Sequence, residues 1–448
     1  MKIETLKQSH LKRNIIIGVV VVAIISAVIL NFTKAKYRVT QSIPLVNGTI
    51  NYSSGDLNMV AIYVNGDDGY TKSDTIPESG YELNEEESYC AVDGNRDDNI
   101  SLSYDVDTKS LSVTPITTRG TKCYLYFDEK STPKNVQELI ASKNLATRTN
   151  FSTILTTDTT GTIYQAEDDD GTTYYFAGNP SDNWIYFADF YWRIIRINGD
   201  GSIRIIYNGT SNTTTGEETQ IGTIAFNINN NDNAYMGYMY GTPRSDTYEA
   251  THINTNDSTV KEMLDNWYNS NLLKYASYID SDAGFCNDRY PSTNFLVSNG
   301  LGGTEAIETY YGAYIRMYAG DNVSNANPSF KCHNSVDLFT ISNSSKGNHE
   351  LTYPIGLITV DEISYAGGVY NIANSTYYLD TGEFYRTISP AYFEDENRAF
   401  VFIMGNNGAI RMNWLDEERG VRPVINLKAD TIFSSGDGTA SNPYVVAT

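Results

Sequence analysis

The chain is poor in the residues that carry chemistry or staple small folds. Its 448 residues include 4 Cys, 4 His and 4 Trp. Proline is scarce at 12, with no collagen-like repeat, and 40% apolar against 19% charged residues excludes wholesale disorder. Basic residues are few against acidic ones, 32 to 54, for a net charge of −22. Seven of the bases lie in the first 38 residues beside one acid, Glu4. The remainder holds 25 bases against 53 acids, a net of −28, and a body that acidic repels phosphate backbones. Nucleic acid is therefore excluded as a partner. No G-x-S-x-G elbow and no H-E-x-x-H helix occurs, so the commonest serine-hydrolase and zinc-protease layouts are absent. What is abundant is Tyr, at 35 residues, the mark of β-rich domains with hydrogen-bonding surfaces.

Apolar residues run together once. Ile15 to Leu30 carries no charge and a single hydroxyl, Ser26, between Lys2, Lys7, Lys12, Arg13 on one side and Lys34, Lys36, Arg38 on the other. This reads as a signal anchor at 14–32, a transmembrane helix with residues 1–13 as a cytoplasmic tail. The alternative is a cleaved signal peptide, but no A-x-A site follows the run directly. Either reading places the body outside the cytoplasm, and the anchor reading also tethers it to the cell membrane. The cysteines agree. Cys90, Cys123, Cys286 and Cys332 allow three connectivities, and the sequence-local one, Cys90–Cys123 and Cys286–Cys332, keeps each bridge within one domain.

Along the body, residues 37–128 show short alternating segments with turn punctuation, ending in Lys122-Cys123-Tyr124-Leu125-Tyr126-Phe127. Period two at this spacing predicts an all-β sandwich, immunoglobulin-like, with Cys123 in the closing strand and Cys90 leading into a loop. Thr132-Pro133 is the expected start of a helix to about Lys143, within a helical linker at 129–150. An α+β domain at 151–448 follows. Its clearest feature is Trp192–Ile197 joined through Asn198-Gly199-Asp200-Gly201 to Ser202–Tyr207, a hairpin whose Arg193, Arg196 and Arg204 imply faces that are not fully buried. A helix capped at Asn256 or Asp257 carries Val260, Met263, Leu264 and Trp267 on one face. Ile355–Val360 reads as a strand, with a short helix starting near Asp361. Ala399–Met404, Ala409–Asn413 and Val421–Leu427 close the domain, the last demoted to an edge by Pro423.

The segments Phe187–Arg196, Leu264-Asp265-Asn266-Trp267, Pro354–Glu362, Thr387-Ile388-Ser389-Pro390 and Gly420-Val421-Arg422-Pro423-Val424, in that order, resemble a domain of unknown function found in surface and secreted proteins of Gram-positive, mostly gut-associated, bacteria. The resemblance spans about Ile163 to Val446. It is also distantly similar to the C-type-lectin-like fold, which includes the formylglycine-generating enzymes and implies an α+β domain with a twisted antiparallel sheet and long variable loops. It carries no chemistry across. The calcium-site E-P-N and W-N-D motifs are absent near Asn406–Trp414, and the enzymes' paired cysteines have no counterpart here.

Nucleophilic chemistry finds little footing. Three His lie in the body, and only His333 adjoins a cysteine, Cys332, which a disulfide would occupy. Acid pairs such as Asp361-Glu362 or Glu417-Glu418 are too many for the sequence to select one for glycoside hydrolysis. Asp168-Asp169-Asp170-Gly171, Asp200-Gly201 and Gly436-Asp437-Gly438 read as turns. No metal ligand set and no cofactor is indicated beyond an adventitious Ca2+ at Asp168–Asp170. The better binding signals are aromatic. Tyr235, Tyr238 and Tyr240 alternate with Met and Gly, and Arg411, Asn413 and Trp414 follow a glycine turn. Arg422 is read as structural, in need of carboxylate and carbonyl partners. The expectation is a membrane-anchored extracellular protein that recognises a glycan or protein ligand by adhesion rather than catalysis. The alternative is a cell-envelope hydrolase of glycans.

Overall fold

The largest strand of the smaller unit shows the sequence logic at its plainest. In a computed structural model, residues Thr121–Glu129 (β8) bury Thr121, Cys123, Leu125 and Phe127 while the alternate side chains are half-exposed. The structure describes residues 60–66, 69–77, 81–105, 110–114, 121–129, 133–245, 247–292, 308–318, 326–394 and 398–448. The expected tail at 1–13 and anchor at 14–32 lie outside them. Among the described residues no helix is long and apolar enough to cross a membrane. The described residues divide between Lys130 and Ser131 into two compact units.

In the first unit, β8 pairs in parallel with Val60–Gly66 (β1), which pairs with Gly69–Ser73 (β2). The other edge of β8 is shared by Tyr81–Leu83 (β3) and Tyr89–Val92 (β4), and Asn95–Arg96 (β5) pairs with β4. The hairpin of Ser101–Asp105 (β6) and Ser110–Thr114 (β7) lays Leu102 on the core of Ile62, Leu125 and Phe127, making a small β-sandwich. Cys90 does not lead into a loop. It sits on β4 directly opposite Cys123 on β8, and the disulfide between them joins adjacent strands.

The second unit is built on two sheets. The first has Phe190–Ile197 (β13) at its centre. One edge of β13 pairs with Ile203–Tyr207 (β14), which continues to Val424–Leu427 (β25). The other edge is divided between Trp184–Phe187 (β12) and Gly171–Tyr175 (β11), about a bulge at Ile195. Beyond β11 lie Thr162–Asp168 (β10) and Asn144–Ala146 (β9), and beyond β12 lie Tyr444–Val446 (β27) and Phe433–Ser435 (β26). The β9/β10 and β12/β27 pairings are parallel, so the sheet is mixed rather than purely antiparallel. The second sheet runs Thr223–Ile224 (β15), Arg419–Gly420 (β24), Tyr385–Glu394 (β21), Arg398–Met404 (β22), Ile410–Trp414 (β23), with Thr309–Tyr310 (β19) on β21. Two short ladders complete it: Met239–Tyr240 (β16) with Asn256–Asp257 (β17), and Phe285–Cys286 (β18) with Leu338–Phe339 (β20). One apolar core joins both sheets with the helix Thr259–Asn271, through residues such as Trp192, Ile205, Leu264, Phe402 and Ile425. Strands outnumber helices throughout.

Several local expectations change. The helix near 132 is Val136–Ala141, capped by the Asn135 side chain, and Val136 and Leu139 enter the core of the larger unit. With β9 paired to β10, residues 133–146 belong to that unit rather than to a linker. Ser258 caps the helix Thr259–Asn271, because Asn256 and Asp257 are taken by β17. Residues 355–359 form no strand. Thr359 instead starts the helix Val360–Ala366 through a capping box with Glu362. Arg193 and Arg204 are buried, since each finds partners in the interior. Arg193 bonds the Asn183 carboxamide and the Pro180 carbonyl over the Trp184 ring. Arg422 is buried on the carbonyls of Tyr207 and Leu379 and on Asn208, above the Tyr385 ring. Among the described residues no carboxylate pairs with Arg422, so the expected acid partner is replaced by carbonyl oxygens and an aromatic face.

Candidate functional site

Two places in the larger unit gather side chains that could meet a ligand. The first is a cavity of about 100 Å³ beside the Cys286–Cys332 disulfide. Its inner wall follows from β13 and β14. Past the bulge, Arg196 stands in register with Arg204, so two guanidinium groups face each other across the strands. Like charges directly opposite are unfavourable, and one carboxylate offsets them. Glu362 Oε1 takes Arg196 Nε at 3.2 Å and also the Arg204 guanidinium. Glu362 Oε2 accepts from the Thr359 amide at 2.8 Å, so the cap of the helix aims the carboxylate at the arginines. Burial pushes this carboxyl up, but Arg204 and Arg196 reverse that and hold it below its ordinary value.

A second triad lies alongside. Arg316 spans both oxygens of Asp361, at 2.7 and 2.8 Å, and reaches Asp288 Oδ2 at 2.8 Å. Although burial lowers the Arg316 pKa, the two carboxylates raise it above its ordinary value. Asp288 has a φ of 40°, a left-handed conformation that Asp tolerates better than most residues. At the mouth, Asp168 receives Arg196 and the Gly199 amide, Asp169 the Cys332 amide, and Asp170 the Lys346 ammonium. The turn expected at Asp168–Asp170 thus spends its carboxylates on protein donors. Asp200 and Asp437 each accept from the amide two residues on, as an Asx turn does. Among the described residues no three His, Cys, Asp or Glu converge to hold a metal ion.

The second place is a row of aromatic rings across the second sheet. Tyr310, Tyr392, Phe400 and Trp414 are successive cross-strand partners on β19, β21, β22 and β23. Ring centroids are 5.7, 4.5 and 6.3 Å apart along the row. Tyr314, Tyr318 and Tyr370 extend it sideways at about 5 Å steps. Trp414 is 37% exposed, under the guanidinium of Arg398, while Tyr310, Tyr392 and Phe400 are half-buried.

The sequence candidates distribute unevenly. Trp414 belongs to the row. Arg411 and Asn413 do not, because the uninterrupted β22/β23 register turns them to the opposite face, where Arg411 bonds Asn371. Tyr235 and Tyr240 pack edge to face at 5.3 Å, both half-buried. Tyr238 is fully buried and its hydroxyl donates to the Ile355 carbonyl at 3.0 Å, so no ligand reaches it. A 3-10 turn at Asn233–Met236 breaks the alternation expected there. Cys332 is in a disulfide, His252 is buried neutral with its pKa pushed down to about 2, first by burial and then by Arg289, and Glu417 meets Arg419 at the surface. Sequence reasoning did not single out Tyr310, Tyr392, Phe400 or Arg316. Alternation in the β21/β22 hairpin marks Tyr392 and Phe400, but nothing local places Tyr310 beside a residue 82 positions on. Compared with protein-family profiles, with curated proteins and with solved structures, the chain matches none.

Proposed function

We propose that the chain is a membrane-tethered extracellular recognition protein, and that the larger unit holds a protein partner on the aromatic row of the second sheet. The observation that carries this is the four-strand run Tyr310–Tyr392–Phe400–Trp414, which keeps an exposed Trp at its end under Arg398. Amphipathic aromatics and Arg are the residues that dominate protein contacts. The rings of Tyr392 and Phe400 stack on each other within 8° of parallel. Their faces are therefore occupied and they offer edges, which suits an apolar protein knob better than a sugar lying flat. The two disulfides support an oxidising, extracellular setting, and the apolar run at 15–30 supports the tether. The resemblance to Gram-positive surface domains of the C-type-lectin-like kind fits the same picture.

The hydrolase alternative needs one carboxyl held protonated as a general acid. In the cavity the trend runs the other way, with Glu362 held below its ordinary value by two arginines. The test is an array of defined extracellular-matrix proteins and glycans probed with the full-length chain in detergent. A saturable protein ligand should be weakened by ~1–3 kcal/mol in Trp414→Ala and in Phe400→Ala, and left unchanged in Arg411→Ala. Glycan binding with no protein ligand, or binding insensitive to Trp414 and Phe400, would remove the proposed face. Turnover of an array glycan would favour the hydrolase.

A further inference from the structure

Acids flank the aromatic row at both ends. At one end Thr309 and Phe393 are paired and buried, so the pleat turns Glu308 with Tyr310, and Glu394 with Tyr392, to the row-bearing face. The Tyr310 hydroxyl donates to Glu308. Burial first, then Glu394, Tyr370 and Glu308, push the Tyr392 phenol up to about 12, so both carboxylates lie within electrostatic reach of that ring. At the other end the chain passes from Trp414 through Leu415 into Asp416, Glu417 and Glu418, with Asp416 and Glu418 exposed. Arg398 stands 3.9 Å from Glu394 and Arg419 stands 3.6 Å from Glu417, long contacts that leave both ends acidic.

Taking the row as the protein-binding face proposed above, we infer that the partner seats a basic segment on it, with an arginine or lysine two residues to either side of an aromatic side chain. The ring edges of the row receive the aromatic knob, and the acids at the ends receive the cations. An acidic segment would meet like charge at both ends. The net charge of −28 beyond residue 38 selects the same sign of partner at longer range. Length fits as well. The row crosses β19, β21, β22 and β23, three strand-to-strand steps or about 14 Å. An extended segment covers that in about four residues, and its alternation brings the first, third and fifth side chains to one face. The aromatic ring then lies over the middle of the row, with one cation at each end.

The probes are the acetylated, amidated pentapeptide Arg-Ser-Phe-Ser-Arg and its neutral analogue Gln-Ser-Phe-Ser-Gln. Binding is followed by saturation-transfer NMR on the Phe ring protons, with the full-length chain in detergent. The arginine peptide should bind saturably and more tightly than the glutamine peptide, by about fivefold or more at low salt, and high salt should erase the difference. Glu308→Gln with Glu394→Gln should weaken the arginine peptide by about threefold or more, the scale of an exposed ion pair, and leave the glutamine peptide unchanged. Asp416→Asn with Glu418→Gln should do the same from the other end, and because both residues are exposed this variant keeps the test open if the first fails to fold. Trp414→Ala should weaken both peptides. Equal binding of the two peptides, each weakened by Trp414→Ala, would overturn the basic partner while the row stands as the face. Arginine-peptide binding indifferent to Trp414→Ala would be a general attraction to an acidic body and would overturn the inference together with the row. No saturable binding of the arginine peptide, or binding indifferent to both acid variants, would overturn the inference alone.

Discussion

Arg196 and Arg204 stand directly opposite each other on adjacent strands, and among the described residues Glu362 is the acid they share, its Oε1 meeting both. Two cations at paired positions of a buried sheet would be mutually repulsive without it. The helix Val360–Ala366 therefore does more than cover the sheet: its N-terminal carboxylate sets the charge balance that lets the hairpin carry arginine inward.

Removal of that carboxylate should be severe. Glu362→Gln is expected to destabilise the larger unit by ~3–5 kcal/mol, because the buried Arg204 guanidinium loses its counter-charge and Arg196 keeps only Asp168. Thermal or urea unfolding measures this, and a loss below about 1 kcal/mol would show that the arginines are solvated instead.

The same group gives a pH dependence. The folded pKa of Glu362 lies below its ordinary value of 4.5. A carboxyl depressed by folding adds stability that is fully present above the unfolded value and is lost as pH falls through the folded one. Urea midpoints should thus hold between about pH 7 and pH 5 and fall below about pH 4.5, and Glu362→Gln should flatten part of that decline. An unchanged slope in the variant would assign the acid sensitivity elsewhere.

Tyr238 separates core from surface. Tyr238→Ala should destabilise by ~3–5 kcal/mol by emptying a fully buried aromatic site, whereas Tyr238→Phe should lose ~1 kcal/mol with the bond to Ile355. Neither should alter ligand affinity per folded molecule. A binding loss in Tyr238→Phe at unchanged stability would return this residue to the recognition surface.

Peptide mapping without reduction should recover Cys90–Cys123 and Cys286–Cys332 as the two linked pairs. Replacing Cys286 and Cys332 together by Ser should destabilise the larger unit by ~2–4 kcal/mol, through the freedom returned to the unfolded chain. Linkage of Cys90 or Cys123 to Cys286 or Cys332 would contradict the arrangement.

Local pattern was readable in the chain, and partnership at a distance was not. The Trp192–Tyr207 hairpin, the disulfide pairing and the hairpin around Gly405–Gly408 follow from alternation, turn residues and spacing. Residue type alone makes Arg193 and Arg204 look exposed, and no local pattern marks the partners that bury them, Asn183 for Arg193 and, 158 positions beyond Arg204, Glu362. The same holds for the ligand faces. Residues 411, 413 and 414 are neighbours in sequence, yet the pleat sends Arg411 and Asn413 one way and Trp414 the other. The row to which Trp414 belongs draws on β19, about 100 residues earlier, and no local signal records that pairing.

The parallel docking of β27 on β12 has a consequence for solubility. β12 is flanked by β13 on one side and by β27 on the other. A chain cut back to Asn442 would leave Ile185 and Tyr186 with a bare row of amides and carbonyls on an apolar strand, an open template for strands of neighbouring molecules. The last few residues thus act as a guard against aggregation, and shortening them should show first as self-association on storage, before any loss of fold.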